Sequence, residues 1–317
     1  MRARGRASVL SSELRQLLPL LLALAVIYIL MVVLTGRTNL RLILEQGAIN
    51  IILSVGMTFV ILTAAIDLSV GSVLALCNVL FVVTAKAIAG DQTPTATAFL
   101  AATAICLLGG ALCGWVNGAI TVWGRVQSFI VTLGMFMAAR GLAYVVSGGQ
   151  PQRLVCSGAI RYVTPIGLSI ASVAVAYFVL GYTRTGRYMY AVGGNIEASR
   201  LSGVPINRVR ILAFAICGLC AALAGIVYWV RLSMGTYLAG ETYELYAIAA
   251  VVIGGTSLMG GKGSVLGTLI GALIMAVLYN GLNSYGVDEM TQRIIIGSVI
   301  VAAALYDSMR HRRTESA

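Results

Sequence analysis

Again and again the chain runs for some twenty residues without a charge. Leu17–Leu34 is one such stretch, and "ILAFAICGLCAALAGIVYWV" at 211–230 is another. Crossing roughly 30 Å of hydrocarbon takes about 20 helical residues. At that depth the backbone must satisfy its own hydrogen bonds, which a helix does within one segment. Of the 317 residues 59% are hydrophobic and 10% charged, where a soluble domain carries about 25% charged residues. The expected fold class is an all-α polytopic membrane protein.

Polar punctuation divides the chain into ten candidate spans, near 14–35, 43–65, 68–88, 96–122, 129–146, 166–182, 207–230, 244–258, 264–282 and 291–309. The eighth is short and ends in Gly254-Gly255, so it reads either as a span or as a re-entrant segment. Charge decides between them. With ten crossings and a cytoplasmic N-terminus, Arg2, Arg4, Arg6, Arg15, Arg125, Arg184, Arg187, Arg200, Arg208, Arg210, Lys262, Arg310, Arg312 and Arg313 lie inside. Arg37, Arg41, Lys86, Arg153, Arg161, Arg231 and Arg293 lie outside, and Arg140 falls within a span. That two-to-one inside excess is the bias expected of a membrane protein. A re-entrant eighth segment would move Arg310, Arg312 and Arg313 outside. Both termini are therefore expected in the cytoplasm, with 1–317 forming one transmembrane domain. The basic start before Leu17–Leu34 reads as a retained signal-anchor, because no small-residue cleavage site follows it.

The same composition excludes several functions. A net charge of +11 reports topology here, since no soluble basic domain is present to bind nucleic acid. Five of the six cysteines lie in apolar runs and read as small hydrophobes. Cys217 and Cys220 form an isolated C-x-x-C, and the one histidine, His311, is in the tail, so no metal or cofactor is expected. "GGTSLMGGKGS" fails the phosphate-loop pattern twice, at Thr256 and Gly263. An intramembrane protease would need a Ser with a nearby base or two facing carboxylates. Asp67 is the one acid well inside the apolar spans, and no catalytic residue is expected.

What remains polar is concentrated. "GGNIEASRLSGVPINRVR" at 193–210 lies in the longest inward loop, 183–206. Asn195 suits an N-cap, Glu197 the first turn, Arg200 the last, and Gly203 the left-handed position beyond a short helix. Asn207 suits a cap on the next span. A short helix held between two spans is either a docking device or a solvated turn. "AIDLSVGS" at 65–72 interrupts an apolar run: Asp67 and Ser69 either cap the following helix or, with Ser72, line or gate a path. Arg140 either bridges helices or faces that path. Asn78, Asn117, Asn280 and Asn283 offer uncharged hydrogen bonds, as helix–helix glue or as solute contacts. Gly110, Gly114 and Gly118, and then Gly267 and Gly271, recur at the pitch of close helix packing, with pore-facing as the other use. A path of amides and hydroxyls with almost no fixed charge suits a neutral polar solute.

Four long motifs carry a resemblance over nearly the whole chain: "VGMTFVILTAAIDLSVGSVLAL", "RVQSFIVTLGMFMAARGL", "TRTGRYMYAVGGNIEASRLSGVPINRVRI" and "ELYAIAAVVIGGTSLMGGKGSVLGTLIGALI". They resemble the membrane subunits of ribose-type ABC sugar importers. The resemblance implies a permease dimer, either homo- or heterodimeric, two cytoplasmic ATP-binding subunits, and a periplasmic or surface-tethered solute-binding protein. It also implies that Gly194, Asn195, Glu197, Arg200, Leu201 and Gly203 belong to a coupling helix that docks on the ATPase. The chain departs from the family at Ala65, where Gly is common, at Tyr246, where Asp is usual, and at Ile196, where a second acid is frequent.

The expected function is the translocating subunit of an ATP-driven importer for a sugar or similar neutral solute. Asp67, Ser69, Ser72, Asn117 and Arg140 are its expected path or gate, and loops 148–164 and 232–241 its outer docking surface. A stand-alone carrier driven by an ion gradient, with Asp67 as proton site, is the alternative. A structural scaffold is a third reading.

Overall fold

The computed structural model describes residues 2–36, 39–90, 93–156 and 160–315. Arg37 lies outside them, as do the side chains of Arg2, Arg4, Arg6, Arg15, Arg310, His311, Arg312 and Arg313. The elements run α1 (Arg2–Thr35), α2 (Leu40–Leu62), α3 (Val70–Ala89), α4 (Ala96–Trp123), α5 (Ser128–Ser147), β1 (Gln152–Arg153), α6 (Ile160–Tyr182) and α7 (Arg184–Gly194). They continue with α8 (Ile196–Leu201), α9 (Ile206–Leu232), β2 (Met234–Gly235), α10 (Tyr243–Ile253), α11 (Val265–Ser284) and α12 (Glu289–Glu315).

The polar breaks between apolar runs serve as caps. Asn39 accepts from Leu42 N–H at 3.3 Å, Thr95 from Ala98 N–H at 3.3 Å, and Ser264 from Gly267 N–H at 3.4 Å. Each supplies a side-chain acceptor to first-turn donors that lack an intrahelical partner.

Helices α2 and α9 form the centre of the bundle and are buried along most of their length. The recurring glycines are the seam between α4 and α9. A Cβ on Gly114 would strike the Phe214 carbonyl, one on Gly118 would stand 2.7 Å from Ile211 Cα, and one on Gly110 2.7 Å from Ala222 Cβ. Gly267 and Gly271 give α10 the same close approach, against Gly254 and Ala250. Both rows are packing surfaces, in keeping with small residues at membrane helix contacts. Across α2 and α11, the hydroxyls of Thr58 and Thr268 meet at 2.9 Å in a fully buried setting.

Eight helices among the described residues are long and apolar enough to cross a bilayer. The eighth sequence span is different. Helix α10 has 11 residues, about 16 Å at 1.5 Å per residue, half of what a crossing needs. Its C-terminal end lies against the cytoplasmic start of α11, through Gly254 and Gly267. The other half of the crossing is irregular, turn-rich chain: Ala239 N–H donates to the Thr236 carbonyl at 3.1 Å, Thr236 N–H donates to Asn78 Oδ1 at 2.9 Å, and Gly240, at φ +64, packs on Gly71 and Leu74 of α3. This crossing is therefore half irregular and half helical, neither the continuous helix nor the re-entrant loop that the sequence offers. Irregular backbone at such depth is tolerated when it is buried in protein.

Two expected caps are not used. Ser69 makes no side-chain capping bond to α3; it gives its hydroxyl to Asp67 instead. Pro205, not Asn207, holds the N-cap position of α9, since the helix begins one residue earlier at Ile206.

Candidate functional site

The break between α2 and α3 spans residues 63–69 and forms a polar knot within the bundle. Asp67 Oδ1 accepts from Ser69 N–H at 2.8 Å and from Ser69 Oγ at 2.6 Å, and Ser69 Oγ accepts in turn from Asn117 Nδ2 at 2.9 Å. Ile66 N–H donates to Ser128 Oγ at 3.3 Å, and Arg210 Nη2 donates to the Thr63 carbonyl at 3.4 Å. Asp67, Ser69, Ser72 and Asn117 are all buried, and Ser72 Oγ has no partner. They lie together under the surface; none borders a cavity described below.

Arg140 projects from α5 and donates through Nη1 to the carbonyls of Tyr237 and Ala239, at 2.5 and 2.7 Å. It holds the irregular half of the eighth crossing, where the Tyr237 and Ala239 carbonyls have no helical N–H from which to accept. Its Nη2 is buried and unpartnered. Asn78 clasps the same segment from α3, donating to the carbonyls of Gly225 and Met234 at 3.1 and 3.2 Å. Glu244, in the first turn of α10, is buried, and its Oε2 has no partner. Asp67 is thus not the one acid inside the bundle. The sequence hides Glu244 because it stands at the edge of an apolar run and reads as an interfacial residue.

An outward cavity of about 210 Å³ opens between α2, α9, α10 and α11, walled by Tyr228, Tyr243, Tyr246, Tyr279, Gln46, Asn50, Asn283 and Arg231 among others. Tyr246 stands between Tyr243 and Tyr279, with ring centroids at 5.9 and 6.3 Å. Phenol and amide groups on one wall can both donate and accept hydrogen bonds, and the rings add flat apolar faces. Of the four asparagines, Asn283 alone reaches this wall. Asn280 joins α11 to α2 through Gln46 at 2.9 Å, and Asn78 and Asn117 are bound as above. The tyrosines escape a search for fixed charge, although Tyr243 and Tyr246 are three apart, the spacing of one helix face.

On the outer face, β1 and β2 pair antiparallel, with Gln152 opposite Gly235 and Arg153 opposite Met234. Trp229 Nε1 donates to the Leu154 carbonyl at 2.9 Å. The two expected outer loops are thereby joined, although residues 157–159 lie outside the described part. Only the outer end of 232–241 stays in that loop, since 236–241 enters the bundle.

On the opposite face, α7 and α8 fill the inward loop. Thr183 caps α7 through Gly186 N–H at 3.2 Å, and Asn195 caps α8 through Ala198 N–H at 2.9 Å. Gly203 has φ +74, the left-handed conformation. Glu197 and Arg200 pair at 3.0 Å on the exposed side, and Leu201 is 89% exposed. The inner side is clamped. A Cβ on Gly193 would strike the Leu62 carbonyl, and one on Gly261 would stand 2.6 Å from Gly194 Cα. Gly260 is similarly close to Ala64, at 2.8 Å from its N. Tyr190 Oη donates to the Gly263 carbonyl at 3.0 Å. The end of α7, from which α8 continues, is therefore seated on the end of α2 and on the loop that follows α10, and that loop in turn lies against Ala64 at the start of the break. A second cavity, about 990 Å³, opens beside α8 and reaches the break at Ala64, Ala65 and Ile66.

The family described as branched-chain amino acid transport system / permease component matches residues 39–304. The chain is 43% identical over 310 residues to the ribose import permease protein of Escherichia coli (strain K12), with 94% of each chain covered. It is 38% identical over 279 residues to that of Bacillus subtilis (strain 168), covering 85% of this chain and 84% of the relative. The D-allose transport system permease protein of Escherichia coli (strain K12) is 35% identical over 279 residues, covering 86% and 83%. No solved structure matches the chain.

Proposed function

The chain belongs to the branched-chain amino acid transport system / permease component family and is a multi-pass protein of the bacterial cytoplasmic membrane; on that premise we propose that it is the translocation subunit of an ATP-driven importer for a sugar or similar neutral polar solute. Relatives named for sugars include the ribose import permease protein and the D-allose transport system permease protein, and the tyrosine and amide wall of the outward cavity is chemistry suited to a polyol. In this reading a second permease copy completes the translocation unit. A separate cytoplasmic subunit hydrolyses ATP, and a periplasmic or surface-tethered binding protein delivers solute to the ribbon of β1 and β2.

One observation carries the coupling half of the proposal. Helix α8 offers Glu197, Arg200 and Leu201 outward, and directly before it Gly193 and Gly194, the last residues of α7, pack backbone to backbone on the Leu62 carbonyl of α2 and on Gly261 in the loop after α10. A push on α8 is passed through the end of α7 into these contacts. It reaches the end of α2 at the 63–69 break and, through α10, the irregular segment beside Arg140. Those are the two places where the bundle lacks continuous helix, and they can change shape without breaking a helical ladder. Binding protein outside and ATP closure inside would then alternate access, with no chemistry required of this chain.

The ion-driven carrier rests on Asp67 titrating against solution, and its carboxylate is tied to Ser69 and lines neither of the two cavities described above. A photocrosslinker placed at Arg200 in living cells separates the two. Capture of a soluble ATP-binding protein is the expected result; a probe that meets only lipid and water overturns the importer and turns attention to proton-driven uptake.

A further inference from the structure

The cytoplasmic cavity beside α8 is cationic, and its wall holds no acid. Arg125, Arg200 and Arg210 line it. Among the described residues Arg125 and Arg210 form no ion pair, and Arg200 alone has a partner, Glu197, on its exposed side. Arg210 spends one Nη on the Thr63 carbonyl and leaves its Nε buried without a partner. Arg125 is held in the left-handed region, φ 53, on the turn between α4 and α5, a backbone state that a side chain with a Cβ adopts at some cost.

Two helix starts open onto the same space. Gln127 before α5 and Pro205 before α9 give no side-chain cap, so the first N–H groups of a 20-residue and a 27-residue helix add partial positive charge there. The rim toward the bilayer is apolar: Trp123 is 63% and Phe129 51% exposed, as expected of a side chain pair at the interface with lipid.

We propose that this cavity binds a phosphate group, and specifically the phosphodiester of an anionic phospholipid in the cytoplasmic leaflet, with its acyl chains against Trp123 and Phe129. Arginines match phosphate oxygens with two parallel donors, and basic pockets between membrane helices on the cytoplasmic side are fitted to acidic headgroups. A soluble phosphate compound offers the same group without the chains. The site is independent of the transport reading, since it needs only the cavity, the arginines and a membrane.

Native mass spectrometry of the purified full-length chain, titrated with phosphatidylglycerol or phosphatidylcholine, tests it. The chain is expected to retain phosphatidylglycerol in preference, and the preference to fall about fivefold for each arginine removed in R125Q and R125Q/R210Q. R125K/R210K should restore most of it, and R208Q, off the cavity wall, should leave it intact. If the double variant fails to fold, R125Q alone on its exposed turn gives the answer. Displacement of phosphatidylglycerol by inorganic phosphate, with R125Q weakening both, keeps the phosphate site and assigns it to a soluble ligand. Equal retention of the two lipids, or a preference that survives R125Q, overturns the proposal.

Discussion

The amide of Gly261 donates to the carbonyl of Leu62 at 3.0 Å, tying the loop after α10 to the last turn of α2. Gly193 lies against the same carbonyl. Three segments far apart in sequence thus meet at one backbone oxygen, and two of them meet it as glycine.

That junction is the first place to test. Gly193→Ala would drive a Cβ into the Leu62 carbonyl, which is backbone and cannot rotate away. Overpacking of this kind costs about 1–3 kcal/mol, so thermal unfolding of the purified chain should shift down. Gly194→Ala, with nothing within reach of its Cβ, should leave the midpoint nearly unchanged.

Replacing Glu197 and Arg200 together by alanine removes an exposed ion pair, at 72% and 65% side-chain exposure respectively, which contributes little to folding. The double variant should keep wild-type stability and membrane level while ATP use no longer drives uptake. Uptake at the wild-type rate would contradict the coupling role of α8.

Arg140→Met strips the carbonyls of Tyr237 and Ala239 of their donor. Each buried acceptor left unpaired costs about 1–3 kcal/mol, so the variant should lose midpoint stability and its outer segment should become protease-sensitive. Arg140→Lys should recover part of the loss, because one ammonium can still donate to both oxygens.

Asp288 caps α12 by accepting from Thr291 N–H at 3.0 Å. Hydrogen bonding to the Thr291 side chain first, and its amide second, holds this exposed carboxyl below its ordinary value. A lowered carboxylate pKa means the folded form prefers the ionised state. Its contribution is thus full above the unfolded value near 3.9 and is lost as pH falls through the lower folded value. Protection of the first-turn amides of α12, taken against their intrinsic exchange rate at each pH, should be constant at neutral pH and should fall only at strongly acid pH. In Asp288→Ala it should be low throughout.

The parts of this molecule that obey membrane hydropathy were legible in the sequence. Apolar runs placed the long helices, and polar breaks at Asn39, Thr95 and Ser264 became their caps, whereas α7, capped by Thr183, was not placed by them. The short helix after Asn195 was also readable, because cap, charge order and Gly203 all agree on it. What the sequence concealed depends on distant partners. Glu244 looks interfacial until the preceding segment is seen to run down beside α3. Arg140 could bridge or face a path, and only the Tyr237 and Ala239 carbonyls choose. The tyrosine wall is built from three helices, and no local pattern announces it. Asp67 was recognised as special, yet its bond to Ser69 replaced the expected cap because the hydroxyl found a carboxylate nearer than the helix amides.

The half-irregular eighth crossing also bears on how the protein is made. Residues 236–253 offer one short helix and an acid at its start, a combination that would not leave the translocon for lipid unaided. Asn78 and Arg140, which satisfy its open backbone, stand earlier in the chain and emerge from the ribosome first. Insertion of this segment is then a templated step: the earlier helices must already be in the bilayer and correctly turned, and a defect in α3 or α5 would be felt as a failure to thread a part of the chain that carries no mutation.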